Sequence, residues 1–155
     1  MDKKFNSYID KLPSLLNELL LMPPVKPTIL PKGLPLRGIY LFTEEDIHLY
    51  VGRSNNIKRR IQYHCRLSSD HNKATFAFRI ARSETNLERA TYKTEGSRKQ
   101  LEDNPIFGPV FIKAKERIRV MELRFIEVND PVQQALLEIY IAITLNTPFN
   151  DFENH

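Results

Sequence analysis

The 155 residues carry 23 Lys or Arg against 19 Asp or Glu, a net charge of +4, and a composition 41% hydrophobic and 27% charged, which suits one soluble domain with a real core. No apolar run approaches the roughly 20 residues of a membrane span, and the first residues lack the basic start and cleavage site of a signal peptide, so an intracellular, cytoplasmic protein is expected. The single cysteine, Cys65, excludes an internal disulfide and is expected to pack in a helix, and no CxxC or clustered His/Cys spacing suggests zinc.

Residues 2–22 place Phe5, Ile9, Leu12, Leu16 and Leu19 at helical spacing, with Pro13 as a break or kink. This predicts a docking helix or pair of helices, packed on the domain or serving a dimer or partner. Met22 to Pro35 holds five prolines and one glycine and reads as an extended connector. Residues 1–36 are therefore an N-terminal helical arm and connector ahead of a domain at 37–155.

The stretch Gly38 to His64 opens with two β-prone runs in which Ile39, Leu41, Leu49 and Val51 alternate with Tyr40 and Tyr50, a hairpin pattern. If Glu44-Glu45-Asp46 form the loop, Thr43 faces Ile47 and Tyr40 lies opposite Tyr50; a bulge would shift the pairing by one residue. Either strand alternation puts the four aliphatic residues on one face and the two phenols on the other. Gly52 ends the second strand, and Ser54, Asn55 and Asn56 offer caps for a helix in IKRRIQYH. Ile57 and Ile61 share one face of that helix, Arg60 and His64 an adjacent one. Arg53, Lys58, Arg59, Arg60 and Arg66 crowd this region with no acid among them. That cationic patch suits phosphates, with an affinity that falls as salt rises.

From about 66 to 119 the chain reads as a helical insert. His71-Asn72 is a cap candidate for a helix in which Ala74, Ala77, Phe78 and Ala81 share a face, with Arg79 and Arg82 elsewhere, and a more polar helical stretch around Leu87 to Lys99 follows. Residues 73–119 hold eleven Lys or Arg against six Asp or Glu, which makes the insert a DNA-facing candidate. Gly108-Pro109 should start another helix, with Val110, Phe111, Ala114 and Ile118 inward and Lys113, Lys115 and Arg117 outward. Residues 121–128 read as a third strand, with Leu123 and Phe125 on one face and Glu122 and Arg124 on the other. The last helix has Asp130 as cap, Pro131 at the first position and Gln133 as capping-box partner. Its expected buried stripe is Val132, Ala135, Leu136, Ile139 and Ile143. Glu138 is the only charged residue between Pro131 and Phe149. Burying it uncompensated would cost several kcal/mol or force it to take a proton, and a metal would keep it ionised.

The sequence GIY at 38–40, YVG at 50–52, Arg60 ten residues after the second tyrosine, His64, Glu138 and Asn150 together resemble the GIY-YIG endonuclease family, from about Gly38 to Asn150. The resemblance implies an α/β (α+β) fold: a small three-stranded antiparallel sheet flanked by helices. It implies a metal-dependent endonuclease hydrolysing DNA phosphodiester bonds, with one Mg²⁺ or Mn²⁺ on Glu138 and Arg60 bracing the phosphate in the transition state. It also makes Tyr40 and Tyr50 active-site residues and Asn150 the residue that closes the motif. One of the tyrosines would orient or deprotonate the water, with Arg53 and Arg60 favouring its phenolate, and His64 is the competing proton-transfer group. Valine stands for isoleucine in the second motif, and Arg53 stands where a lysine is common. Alternatives are a nuclease selective for branched DNA or for RNA, an inactive nucleic-acid-binding protein, and an interaction module built on the N-terminal helix. One site cuts one strand, so double-strand cleavage needs a homodimer or two binding events.

Overall fold

In a computed structural model, which describes residues 1–86 and 98–153, the chain is organised around the hairpin. Strands β1 (Gly38–Glu44) and β2 (Ile47–Ser54) are joined by Glu45 and Asp46, both at positive φ (50° and 65°). Two central residues at positive φ make a turn whose twist matches that of the strands, so the loop has two residues and not three. Glu44 pairs with Ile47, the alignment shifts between Phe42 and Thr43, and beyond the shift Phe42 faces Tyr50 and Tyr40 faces Gly52. The expected Tyr40–Tyr50 pairing is thus displaced by two residues. An even displacement leaves the faces unchanged. Tyr40 and Tyr50 remain on one face with Phe42, and Ile39, Leu41 and Val51 on the other. Leu49 is the exception: it is the unpaired residue at the bulge and packs on the tyrosine face.

Strand β3 (Glu122–Glu127) pairs antiparallel with β1, giving the order β2-β1-β3 and placing the GIY strand in the middle. The connector covers the outer edge of β3. Val25 exchanges backbone hydrogen bonds with Leu123 at 2.9 and 2.8 Å, so the proline-rich segment shields a sheet edge that would otherwise be open.

Both faces of the sheet are buried. Helices α1 (Lys3–Leu21) and α6 (Pro131–Leu145) cover Ile39, Leu41, Val51 and Ile126. Helices α2 (Ile57–Cys65), α3 (Thr75–Thr85) and α5 (Phe107–Arg119) enclose Tyr40, Phe42, Tyr50 and Leu123, with α4 (Arg98–Asp103) packed against α5. Helix α1 runs unbroken through Pro13, which sits on its exposed side, where water can replace the missing bond. Leu12, Leu16 and Leu19 are buried as their spacing predicts, Phe5 is largely exposed, and the helix is a wall of the core. Its Tyr8 hydroxyl donates to Asp130 at 3.2 Å, and Gln133 Nε2 donates to the Tyr8 carbonyl at 3.1 Å.

Helix α6 is turned differently from its expected stripe. Gln133, Gln134, Leu137, Ile141 and Ala142 are buried, whereas Val132, Ile139 and Ile143 are exposed. The helix is apolar nearly all round, so periodicity does not choose a face. Hydrogen bonds choose it: Gln134 Nε2 donates to the Val128 carbonyl at 2.6 Å and Gln133 to α1. Asp130 does cap the helix, accepting from Val132 and Gln133 N–H at 2.8 and 2.9 Å, but the Gln133 side chain engages α1 and not the cap.

In the insert, Asp70 receives the N–H groups of Asn72 and Lys73 ahead of α3, the task expected of His71-Asn72. The helical stretch expected around Leu87 to Lys99 lies mostly outside the described residues. Lys115, expected outward, is buried: its ammonium donates to the Leu67 and Ser69 carbonyls and lies 3.9 Å from the Phe111 ring centroid. Arg117 is half-buried and forms ion pairs with Glu44 and Glu84 at 2.6 and 3.2 Å. Cys65 is buried in α2, where burial pushes its thiol up to about 11.

Candidate active site

The two motif glycines are there for space. A Cβ on Gly38 would overlap the Ile126 carbonyl oxygen where β1 meets β3. A Cβ on Gly52 would overlap the end of the Tyr40 phenol and come within 2.8 Å of its Cε2. The Tyr40 ring therefore lies across its cross-strand partner, reaching over bare backbone toward α2. There its hydroxyl meets His64 Nε2 at 2.9 Å, with both residues fully buried.

Burial sets the protonation of this pair. It pushes the Tyr40 phenol well above its usual value of 10, and Tyr50 adds to the shift while Arg60 opposes it. The expected field favouring phenolate exists at Arg60 but loses to desolvation, and Arg53 contributes nothing resolved at Tyr40. His64 is driven well below 6.5 by burial and then by the charges of Arg60 and Arg79, so the imidazole is neutral. Its Nδ1 is buried without a hydrogen-bond partner. With the proton on Nδ1, Nε2 is left as the acceptor for the phenol O–H.

Arg60, one turn before His64 on α2, donates from Nη2 to Thr75 Oγ1 of α3 at 3.1 Å. Burial lowers its pKa, but attraction to both phenols outweighs that and raises it. Tyr50 stacks on Phe76 of α3, ring centroids 4.7 Å apart and planes 8° from parallel. Its own centroid is 6.4 Å from that of Tyr40.

Glu138 reaches this cluster from α6. Its carboxylate is 3.9 Å from Arg53 Nε, with its side chain 23% exposed. Burial raises its pKa, and Arg53, Arg79 and Arg60 pull it back. Front-half phenols and guanidiniums and a back-half acid thus converge at one end of the sheet. The family model for the GIY-YIG catalytic domain matches residues 36–150, about three quarters of the chain. The chain belongs to the GIY-YIG family. No curated protein and no solved structure matches it.

The remaining expected site residues divide by what they touch. Asn150 accepts from the Val51 N–H at 2.9 Å and donates to the Val51 carbonyl at 2.8 Å, and its Oδ1 also receives the Thr147 hydroxyl at 2.7 Å. It thereby pairs with the outer edge of β2 between Tyr50 and Gly52. Arg53 is half-exposed beside Glu138. Lys58 and Arg59 are exposed on α2 and Arg66 is exposed just past its end, and Lys58 and Arg66 line a groove with Arg119 and the connector. Two contributors from the insert were not legible as site residues: Thr75, which holds Arg60, and Arg79. Their spacing of four puts them on one helix face, but only the fold aims that face at the site.

Among the described residues no group of three or more His, Cys, Asp or Glu side chains gathers to hold a metal. Among the described residues Glu138 is the carboxylate whose charge acts on Tyr40, and its ion pair with Arg53 is long. A single hard oxygen donor fits Mg²⁺ or Mn²⁺, since such ions keep several waters and take the rest of their ligands from substrate phosphate. No helix among the described residues is long and apolar enough to cross a membrane.

Proposed function

We propose that the chain is a metal-dependent endonuclease hydrolysing DNA phosphodiester bonds at the Tyr40–His64–Arg60–Glu138 cluster. The carrying observation is the 2.9 Å contact between a buried phenol and a buried neutral imidazole. A phenol held this far from ionisation is a poor base alone. Bonded to His64, it becomes a relay: as attacking water gives its proton to the Tyr40 oxygen, the phenolic proton passes to Nε2. No free phenolate forms, and the negative charge of the bound phosphate would offset the burial and the arginine charges that otherwise disfavour the imidazolium, which holds the proton until product leaves.

Arg60 is attracted to both phenols and held by Thr75. A phosphate is the stronger partner for a planar guanidinium. As Arg60 turns to brace the phosphate oxygens it would uncover the Tyr40 hydroxyl for water, which couples binding to base activation. A donor of this kind is worth about 100- to 1,000-fold in rate. Glu138 would hold the divalent cation, which when bound supplies Lewis-acid stabilisation to the phosphate and the leaving oxygen. Tyr50, fixed by Phe76, orients the water, Asn150 positions β2, and Arg53 steadies Glu138. Lys58, Arg59 and Arg66 would track the backbone beyond the site.

The test is a cleavage panel of supercoiled plasmid, linear duplex, single strand, RNA and four-way junction, with Mg²⁺ or EDTA. Wild type should nick DNA only with the metal, and Tyr40→Phe, His64→Ala, Arg60→Ala and Glu138→Ala should each lose at least about 100-fold. Salt-dependent binding without cutting by wild type would make this a binding protein. Normal cutting by Tyr40→Phe would remove the relay.

A further inference from the structure

We propose that Arg79, on the insert helix α3, is a second phosphate-binding arginine of this site, engaging the nucleic-acid backbone next to the phosphate that Arg60 holds; this rests on the nuclease reading above. Arg79 Nη1 donates to the Phe149 carbonyl at 3.0 Å. That bond sets the guanidinium 6.0 Å from the centroid of the Tyr50 ring. It therefore lies between a motif tyrosine and the turn that carries Asn150.

The reason to assign it a ligand is the charge balance. Glu138 pairs with Arg53 at 3.9 Å, whereas Arg60 and Arg79 are anchored by neutral groups, the Thr75 hydroxyl and the Phe149 carbonyl, so among the described residues neither of these two guanidiniums meets a carboxylate in an ion pair. Like charges held together away from water repel, and an entering anion relieves that repulsion. Anchoring one carbonyl takes one N–H. A guanidinium has five donors in a planar fork, and Arg79 is only half-buried, which leaves a face for a phosphate. The same face of α3 carries Thr75, which holds Arg60. Helix α3 therefore sets the spacing of two guanidiniums, and the insert's DNA-facing role narrows to this one helix face.

Arg79→Gln keeps an N–H for the Phe149 carbonyl but loses the charge, and Arg79→Lys keeps the charge but loses the fork. Binding of a short labelled duplex would be followed by anisotropy over a salt series, with single-turnover cleavage and Val51 amide exchange measured alongside. For Arg79→Gln the slope of log K against log salt should become shallower by about 0.9, the share of one phosphate contact. Cleavage should fall by about tenfold or more, with Val51 exchange unchanged. Arg79→Lys should retain the slope and recover part of the rate. An unchanged slope in Arg79→Gln overturns the assignment while wild-type cleavage leaves the nuclease reading intact, and faster Val51 exchange would then identify Arg79 as a strut for the Phe149–Asn150 turn. If wild type shows neither salt-dependent binding nor cutting, both readings fall.

Discussion

Gly52→Ala is the most informative single change, because it adds one methyl group without removing any polar atom of the site. The new Cβ would overlap the Tyr40 hydroxyl and Cζ and lie 2.8 Å from Cε2. The ring cannot swing aside cheaply: it is 1% exposed, with Phe42 edge-on at 5.9 Å, His64 at 5.7 Å and Tyr50 at 6.4 Å between centroids. Overpacking of this kind costs about 1–3 kcal/mol. Displacing the phenol also breaks its bond to His64 and strands buried polar groups, adding about 1–3 kcal/mol. Loss of roughly 2–6 kcal/mol should lower Tm by roughly 5–20 °C in a domain of this size. Cleavage should fall at least about 100-fold as the relay is pulled apart. Gly33→Ala, where an added Cβ meets nothing within 4 Å, is the control. Thermal unfolding and plasmid nicking read both effects. In the double variant Gly52→Ala/Tyr40→Phe, cleavage should be no worse than in either single change, since both act on one phenol. Wild-type Tm and nicking in Gly52→Ala would refute the placement of Tyr40 over Gly52.

The neutral His64 predicts a pH signature: the acid limb of kcat/KM should fall well below 6.5, because burial and Arg60 keep the imidazole deprotonated. Stability follows the same shift. Since the folded pKa is depressed, stability is full above about 6.5 and falls by about 1.4 kcal/mol per pH unit below it until the folded pKa is reached. Urea titrations at several pH values should show that slope reduced in His64→Asn. Asn150→Ala should destabilise by about 1–3 kcal/mol, since it leaves the buried Val51 backbone short of partners, and should speed Val51 amide exchange; a protected amide would show that β2 needs no such clamp. Glu138→Gln should abolish cleavage yet leave Tm equal or higher, because burial disfavours the carboxylate it replaces; a large fall in Tm would mean that the three arginines more than compensate for that burial.

Legibility in the sequence followed the range of each interaction. The faces of β1 and β2 were readable because strand alternation is local, whereas the alignment was not, since a two-residue turn and a bulge at Leu49 each moved it by one. Helix α2 was readable from its cap: Asn56 Oδ1 accepts the Arg59 N–H at 3.0 Å, as an Asn before a helix should. Helix α6 misled because its apolar residues surround the axis, and the choice of buried face was made by glutamines bonding to Val128 and Tyr8. Lys115 misled for the opposite reason, since a lysine is assumed to face water unless a carbonyl-lined niche is known to exist.

The site itself divides the same way, and the division has a physical basis. Tyr40, Gly52 and His64 are linked through one hairpin and the helix that follows it, so their contact is a consequence of short-range geometry and the motif could carry it. Glu138 was legible without geometry, because a lone charge in an apolar helix demands a compensating environment. Arg79 had neither advantage. It sits in a basic insert where most charges face solvent, and its relevance arises only when the carbonyl of Phe149, seventy residues onward, meets its guanidinium. A residue delivered by an independent helix can therefore reach the cluster and leave no mark in the motif. If that is right, exchanging α3 residues that face the site should change affinity and substrate choice while the Tyr40–His64 pair keeps its depressed imidazole, a separation that His64 titration by NMR in Arg79→Gln would detect as only a modest rise.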